Sequence, residues 1–237
     1  MDKQAIRDRV WDALERAGVA RFPFPPHDRI PNFAGAEAAA DRLADRPEWT
    51  RADTVKSNPD APQLPVRRRA LREEMLVYMA VPRLREERCF MALDPTRIAD
   101  TDAAATISSA DEYAVQVGPA DMEPVDLIVA GSVAVTPQID RIGKGEGYSD
   151  LEFAILSEAG LVSRETTIAT TVHEMQLLDR EFETDPHDVP MDLIVTPEQV
   201  IETDRRADRP AGIDWDALPP AKIDAIPILQ QLRPEGS

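Results

Sequence analysis

The sequence predicts an α/β protein with a mainly parallel central sheet and helices on both faces. Residues 125–135 form an unbroken apolar run rich in β-branched side chains, which is typical of a strand covered on both faces. A glycine-rich loop follows at 143–147, and a helical apolar pattern then runs from residue 148 to Gly160. Strand, loop and helix in this order place a ligand at the carboxyl end of a parallel sheet.

Helical and extended patterns alternate over the rest of the chain, as such a sheet requires. An amphipathic helix is predicted over 2–17, with Ile6, Val10 and Leu14 on one face and Gly18 directly after it. Further helices are predicted over 36–43 and 66–74, and strands over 54–57, 75–81, 89–93, 166–172, 193–196 and 199–202.

Three stretches are not predicted to contribute to the core. Residues 95–123 are polar and predict a peripheral helix and an exposed connection. The arginine-rich stretch 67–72 predicts a solvated helix face balanced by nearby acids. The segment 205–237 is rich in proline and acid, so we expect one α/β domain over 1–204 and a C-terminal tail over 205–237 that packs back onto it.

Length and charge restrict the kinds of partner. A chain of 237 residues that is 43% hydrophobic can bury a sizeable core. The formal net charge of −17 excludes a nucleic-acid-binding or acidic-membrane-binding surface, because like charges repel, and we expect small-molecule partners. Lysine occurs only at positions 3, 56, 144 and 222. Adaptation to a salt-filled cytoplasm and a bias of genome composition both explain this acid-rich, lysine-poor surface.

Cysteine usage and hydropathy predict the compartment. Cys89 is the only cysteine, so neither an intramolecular disulfide nor a cysteine-rich metal site can form. It lies in an apolar strand-like run, and we expect a buried thiol rather than a nucleophile. No apolar stretch is long enough to span a membrane, and the N-terminus is a charged helix rather than a signal peptide. We therefore expect a cytoplasmic protein, as a monomer or weak homodimer.

The loop from Arg141 to Asp150 carries the clearest functional signal. Its glycines at 143, 145 and 147 can adopt positive φ and let backbone N–H groups approach an anion closely. Arg141 and Lys144 add positive charge, and Asp150, just inside the following helix, is a candidate magnesium ligand. These residues predict a site for a nucleoside triphosphate.

The spacing differs from that of the common phosphate loops. Lys144 lies between the glycines, no Lys-Ser/Thr pair follows, and the GxGxxG dinucleotide pattern is absent. A solvated turn of glycines and charges is the alternative interpretation. Lys3 and Arg7 lie four residues apart on the first helix, so both cations can point at one anion; an ordinary charged helix face is the alternative there.

Three separated segments resemble the 5-formyltetrahydrofolate cyclo-ligase family, whose members are also called methenyltetrahydrofolate synthetases. They are Lys3-Gln-Ala-Ile-Arg7, the loop 141–150, and His187-Asp188 ahead of an apolar run at 191–196. The resemblance implies a NagB/RpiA/CoA-transferase-like architecture. Residues 29–33, 131–135, 143–147 and 170–173 further resemble a divergent branch, the methenyltetrahydrofolate-synthetase-domain proteins.

The resemblance also implies an activity: ATP- and Mg²⁺-dependent closure of 5-formyltetrahydrofolate to 5,10-methenyltetrahydrofolate, with release of ADP and phosphate. The protein would mainly position reactants and stabilise charge, with no protein nucleophile. The implied site residues are Lys3, Arg141 and Lys144 for catalysis; Lys3, Arg7, Arg141, Gly143, Lys144, Gly145, Gly147 and Tyr148 for ATP; Gln63, Tyr148 and His173 for the reduced folate; and Asp150 and Asp188 for the metal.

The sequence departs from the family pattern at five sites. Ile139 and Glu146 replace loop glycines, Ser149 replaces a tyrosine, Leu151 replaces a basic residue, and Pro62-Gln63 stands where an acidic residue usually meets the pterin. A glutamate among phosphates repels them unless it faces away or holds metal. Two alternatives therefore stay open. One is a nucleotide- or pterin-phosphate-binding protein of the same family without turnover, and the other is an ATP-using enzyme acting on another heterocycle, such as a thiamine-related compound.

Overall fold

Short strands and helices alternate along the chain in the computed structural model, which describes residues 2–138, 140–179, 182, 184–203 and 209–234. The strands are β1 (Ala20–Arg21), β2 (Asn32–Phe33), β3 (Thr54–Ser57), β4 (Leu76–Ala80), β5 (Phe90–Leu93), β6 (Val115–Val117), β7 (Leu127–Ala130), β8 (Ala134–Val135), β9 (Arg141–Ile142), β10 (Thr167–Thr171), β11 (Leu193–Val195) and β12 (Val200–Glu202). The helices are α1 (Lys3–Arg16), α2 (Ala36–Ala44), α3 (Pro47–Thr50), α4 (Leu64–Arg72), α5 (Thr101–Ala104), α6 (Ile107–Tyr113), α7 (Tyr148–Glu158), α8 (Pro220–Ala225) and α9 (Pro227–Leu232).

Eight strands form one sheet in the order β12-β11-β10-β7-β3-β4-β5-β6. Neighbouring strands from β11 to β4 run parallel, whereas β12 at one edge and β5 and β6 at the other pair antiparallel. The prediction of an α/β fold with a mainly parallel sheet is confirmed. All the parallel strands end at the same edge of the sheet, where ligands bind in folds of this type.

Helices cover both faces of the sheet because successive strand side chains point to opposite sides. Leu127 and Val129 of β7 belong to the core layer that contains α2 and α4, while Ile128 and Ala130 belong to the layer that contains α7. Because both faces of β7 are buried, residues 127–130 are apolar at every position.

The apolar run 125–135 forms two strands rather than the single strand predicted. β7 ends at Ala130, and residues 134 and 135 pair with β9 in an antiparallel hairpin. The break falls at Gly131, where an added Cβ would lie 2.9 Å from Ile30 Cγ1, so only glycine fits without displacing that side chain. The β8–β9 hairpin, and not a strand of the large sheet, therefore leads into the glycine loop.

The prediction of a solvated arginine face on α4 is wrong for Arg67. This side chain is 1% exposed and donates to the backbone carbonyls of Asn58, Asp60 and Ala105. Burial lowers the pKa of Arg67 to about 10, although the nearby Asp60 opposes the shift. One planar guanidinium with five donors thus fixes the segment that follows β3.

The polar stretch 95–123 is more structured than the predicted helix and connection. It contains α5 and α6, and its last part adds β6 to the edge of the sheet beside β5. The pattern of β6 carries little signal because its first two residues are exposed, and an edge strand needs no continuous apolar run.

Cys89 is buried, as predicted, and burial raises the pKa of its thiol to about 12. A thiolate is therefore scarce at neutral pH, which argues against a nucleophilic role. Among the described helices, none combines the length and apolar character needed to cross a bilayer.

The C-terminal residues 209–234 lie on the face of the sheet that α7 covers. Ile223, Ile226 and Leu229 are buried in the same cluster as Leu151 and Ile155 of α7. The position proposed for the domain boundary, between residues 204 and 205, lies outside the described residues. Residues 209–234 nevertheless share one apolar core with α7.

Truncation of Ile155 should destabilise the protein strongly. Ile155 is fully buried in α7, so Ile155→Ala leaves a cavity between the sheet and the C-terminal helices, and we expect a loss of about 2–5 kcal/mol in the free energy of unfolding. Urea unfolding measures this loss. Ile107 is 52% exposed, so Ile107→Ala is the control and should change stability by about 0.5 kcal/mol or less. Equal effects of the two substitutions would contradict this packing.

Candidate active site

A cavity of about 320 Å³ lies where the parallel strands end. Asn58 and Asp60 follow β3, Val81 follows β4, and Gly131 follows β7; all four line this cavity. The other wall is the glycine loop and the first turns of α7, which contribute lining residues from 143 to 152. The sheet edge and the loop therefore enclose one space, at the position predicted for a ligand.

Two glycines of the loop adopt backbone conformations that other residues rarely adopt. Gly145 has φ of 102°, and Gly147, the N-cap residue of α7, has φ of 67°. Gly143 differs from the prediction because its φ is not positive. It is constrained by close approach instead, since a Cβ there would lie 3.1 Å from Arg141 Nη1.

The backbone N–H groups of this loop have no acceptors in the described part of the chain. From Lys144 to Asp150, none donates a hydrogen bond to another described residue, and no side chain caps α7. The positive end of the α7 dipole adds to these unsatisfied donors. Loop and helix terminus together are suited to hold an anion.

Arg7 contacts the loop, and the phosphate-binding role proposed for it stays a prediction. Its Nε donates to the Gly143 carbonyl at 2.8 Å, and its Cζ lies 3.3 Å from where a Cβ of Gly145 would be. A larger residue at 145 would therefore push against the guanidinium. Burial lowers the pKa of Arg7, and the nearby acids Asp2, Asp8 and Asp188 oppose that shift.

Lys3 lies one turn earlier on α1 and contacts acids rather than the loop. Its Nζ lies 2.8 Å from Asp185 and 2.8 Å from Asp188, and these bonds raise the pKa of Lys3 although burial opposes the shift. Neither Lys3 nor Arg7 lines the cavity. The roles predicted for them require a ligand that extends past the loop toward α1.

Arg141 and Asp150 form a buried ion pair that joins β9 to α7. Arg141 Nη2 donates to both Asp150 oxygens at 2.6 Å, and Nη1 donates to the Gly131 carbonyl at 2.9 Å. Burial opposes ionisation of Asp150, but the charge and hydrogen bonds of Arg141 outweigh it, so the pKa of Asp150 lies below its usual value. The Val189 N–H also donates to Asp150 at 3.2 Å.

The predicted magnesium ligands are each engaged by a cation. Both oxygens of Asp150 accept from Arg141, and Asp188 accepts from Lys3 and from the Asp185 N–H. Asp185, His187 and Asp188 offer ligand atoms within 4.8 Å of one another, but two of these residues are exposed. The carboxylates are of the type that Mg²⁺ prefers, yet they do not form a preorganised pair. The metal assignment stays a prediction.

Lys144 is half-exposed and pairs with Glu146, two residues along the loop. The two charges lie 2.8 Å apart, and Arg83 approaches the same carboxylate at 4.0 Å. The Glu146 carboxylate thus contacts the cations that a bound anion would contact. Ile139, which also stands where the family has a loop glycine, lies outside the described residues.

Of the residues predicted to contact the folate, Tyr148 lines the cavity, but Gln63 and His173 do not. Gln63 is buried and donates to Thr171 Oγ1 at 3.3 Å, and its Oε1 accepts no hydrogen bond from the described residues. His173 caps a short 3₁₀ turn by accepting from the Met175 N–H at 3.1 Å. The structure therefore does not bring all three together.

Sequence reasoning missed a buried polar cluster at the floor of the cavity. Lys56 of β3 is 1% exposed, forms an ion pair with Glu152 of α7, and donates to Asn58 at 3.2 Å. Burial raises the pKa of the neighbouring Asp60, with Lys144 opposing and Glu152 adding to the shift. The signal was present in the sequence, since a lysine inside a strand of the central sheet needs a buried partner.

Substitution of Lys56 tests this cluster. Lys56→Met leaves the Glu152 carboxylate buried without a counter-charge, and we expect a loss of about 3–5 kcal/mol in unfolding free energy. The double variant Lys56→Met, Glu152→Met removes both charges and should regain most of the loss. Urea unfolding of the two variants and the wild type measures the difference. A double variant no more stable than the single one would show that the two charges are not coupled.

The Arg141–Asp150 pair should make stability depend on acid pH. Because folding lowers the pKa of Asp150, the carboxylate stabilises the protein above its unfolded value of about 4, and this contribution is lost as the pH falls through the folded value. Asp150→Asn should therefore be less stable at neutral pH and should lose less on acidification. Thermal melting between neutral and acid pH checks this, with the exposed Asp111→Asn as a control that follows the wild type. Parallel curves for Asp150→Asn and the wild type would contradict it.

Comparison with known proteins agrees with the motifs. The model of the 5-formyltetrahydrofolate cyclo-ligase family matches residues 1–197. Methenyltetrahydrofolate synthase domain-containing proteins of Bos taurus and Homo sapiens are 40% and 39% identical to the chain over 237 residues. These matches cover 98% of this chain but 62% of each relative, so the chain spans less than two thirds of their length.

A solved structure shows the same fold. The Aquifex aeolicus 5,10-methenyltetrahydrofolate synthetase aligns with a TM-score of 0.54 and 17% sequence identity, covering 92% of this chain and 100% of that one. The loop, the sheet edge and the family match over most of the sequence lead to one assignment: the chain belongs to the 5-formyltetrahydrofolate cyclo-ligase family.

Proposed function

We propose that the chain is an ATP- and Mg²⁺-dependent 5-formyltetrahydrofolate cyclo-ligase that forms 5,10-methenyltetrahydrofolate, ADP and phosphate. One observation carries the proposal: in a member of this family, the N–H groups from Lys144 to Asp150 have no acceptor among the described residues and border a cavity at the sheet edge. A phosphate chain supplies the acceptors that these donors lack.

The proposed chemistry needs charge stabilisation rather than a protein nucleophile. The formyl oxygen at N5 attacks the γ-phosphorus of ATP, and the bond to the β-phosphate oxygen breaks to release ADP. N10 then attacks the activated formyl carbon and gives up its proton to solvent, and the C–O bond breaks to release phosphate. Throughout, negative charge on phosphate oxygens must be held by fixed donors and cations.

We assign the ATP phosphates to the loop amides of Gly143, Lys144, Gly145 and Gly147 with the flanking cations. Arg7 is well placed because it already contacts Gly143 and Gly145. Lys144 can bind phosphate after leaving Glu146, since both side chains are more than a third exposed. Lys3 and Arg141 reach phosphate only if ligand binding rearranges their present ion pairs.

We assign the reduced folate to the sheet-edge side of the cavity. Asp60 supplies a carboxylate there that no described group hydrogen-bonds, and Tyr148 supplies an aromatic ring from the opposite wall. Gln63 and His173 remain predicted contacts and require the substrate to extend beyond this cavity. Mg²⁺ would accompany the phosphates and complete its shell with water, with Asp150 and Asp188 as the predicted protein ligands.

Glu146 favours a second candidate function, a nucleotide-binding protein without turnover. Its carboxylate faces Lys144 and Arg83, where it competes with phosphate for both cations. If this contact has replaced catalysis, Glu146→Gly should raise cyclo-ligase activity. If the contact merely opens on binding, the same substitution should tighten ATP binding and leave the rate of turnover within a few-fold of wild type.

Turnover is tested by incubating the protein with 5-formyltetrahydrofolate, ATP and Mg²⁺ at low and high salt and following methenyl absorbance. We expect product from the wild type and a rate lower by about 10² in Lys144→Ala, because one charge-stabilising group is removed. Arg85→Ala is the matched control: it removes an exposed cation whose side chain is 68% exposed, and it should keep the wild-type rate.

Absence of product under every salt condition would contradict the cyclo-ligase assignment. A wild-type rate in Lys144→Ala would remove Lys144 from catalysis but not the assignment itself. Omission of ATP or chelation of Mg²⁺ should each abolish product formation, which checks the two proposed dependences separately.

A further inference from the structure

The C-terminal segment 209–234 brings Lys222, the last of the four lysines in the sequence, to the glycine loop. The segment is held by buried side chains of α8 and α9 that share a core with α7, and by the Ile213 N–H, which donates to Glu158 of α7 at 3.3 Å. Lys222 of α8 is therefore carried on a packed element. It also lies beyond residue 197, where the family match ends.

Lys222 lies against the N-terminus of α7. Its Nζ donates to the Glu146 carbonyl at 3.1 Å and lies 5.0 Å from the centre of the Tyr148 ring. It is also 3.5 Å from where a Cβ of Gly147 would be. The ammonium group is therefore adjacent to the loop amides that lack acceptors.

Lys222 forms no ion pair with the residues that the structure describes. Within the described ranges, no carboxylate lies within 4.0 Å of its Nζ, whereas Lys3, Lys56 and Lys144 each pair with at least one carboxylate. Of the three donors of its ammonium group, one has a described acceptor. Burial lowers the pKa of Lys222, with Asp150 and Glu146 opposing the shift, so the site is unfavourable for a cation as it stands.

The position is also unfavourable because the helix terminus is itself positive. A cation beside the first turn of a helix is repelled by the positive end of the helix dipole. An anion bound between the cation and the helix terminus would be attracted by both. A second cavity of about 230 Å³ opens here, lined by Gly147, Asp150, His187 and Lys222. It adjoins the first cavity, since Gly147 and Asp150 line both.

We propose that Lys222 is a phosphate-binding residue of the nucleotide site, contributed by the C-terminal segment from outside the region that the family model matches. The identity of the ligand rests on the proposed function. The placement of Lys222 in the site rests on the position of its ammonium group, which forms no ion pair with the described residues. Arg7 and Lys222 then flank the loop, Arg7 at Gly143 and Gly145, and Lys222 at Glu146 and Gly147.

The experiment compares full-length variants by calorimetric titration with ATP and with inorganic triphosphate. Lys222→Met keeps the aliphatic stem over Tyr148 and removes the charge, so we expect binding of both ligands to weaken about tenfold or more, as for the loss of a charge-assisted hydrogen bond. Lys222→Arg should retain most of the affinity. Arg164 is exposed and follows the far end of α7, so Arg164→Met should bind both ligands as the wild type does.

Melting temperatures distinguish a lost contact from a lost fold. The proposal expects Lys222→Met to melt close to the wild type and to bind 5-formyltetrahydrofolate without ATP as the wild type does. Triphosphate binding within twofold of wild type in Lys222→Met would overturn it, and so would an equal loss in Lys222→Arg. Phosphate binding that depends on Lys222 in a protein without cyclo-ligase turnover would contradict the proposed function alone.

Discussion

The site depends on the ion pair between Arg141 and Asp150. It joins the first residue of β9 to the first turn of α7, so that the glycine loop lies between two residues that are linked to each other. A second bond from Arg141 to the Gly131 carbonyl ties the same guanidinium to the end of β7. Because both charges are buried, breaking the pair would leave each charge buried without a partner. The pair therefore holds the loop amides in position to bind an anion.

Charge around the loop is arranged in two groups. Arg141, Lys56 and Lys3 are neutralised by carboxylates; the first two pairs join β9 and β3 to α7, and the third joins α1 to the segment that precedes β11. Arg7 and Lys222 contact backbone carbonyls of the loop and have no carboxylate within 4.0 Å among the described residues. The first group stabilises the architecture of the site, and the second leaves positive charge available to a ligand in a protein whose formal net charge is −17.

Local sequence patterns predicted most of this fold, and long-range contacts explain the errors. Apolar, β-branched runs predict β3, β4, β10 and β11, and the structure places Arg7, a predicted phosphate ligand, against the loop. The run 125–135 was misread because apolarity alone does not reveal that Gly131 is crowded by Ile30. The contacts of Lys56 and Lys222 were not predicted, and Arg67 was wrongly predicted to be solvated. Their partners lie in other elements, and a single sequence does not show which distant residues meet.

The burial of Ile223, Ile226 and Leu229 against α7 limits where the chain can be truncated. The family model matches residues 1–197, yet a fragment ending there would leave apolar side chains of α7 exposed to water. α7, whose first turn borders the ligand cavity, would then lack the C-terminal side chains that pack against it. The region matched by the family model is therefore shorter than the region that packs into this core.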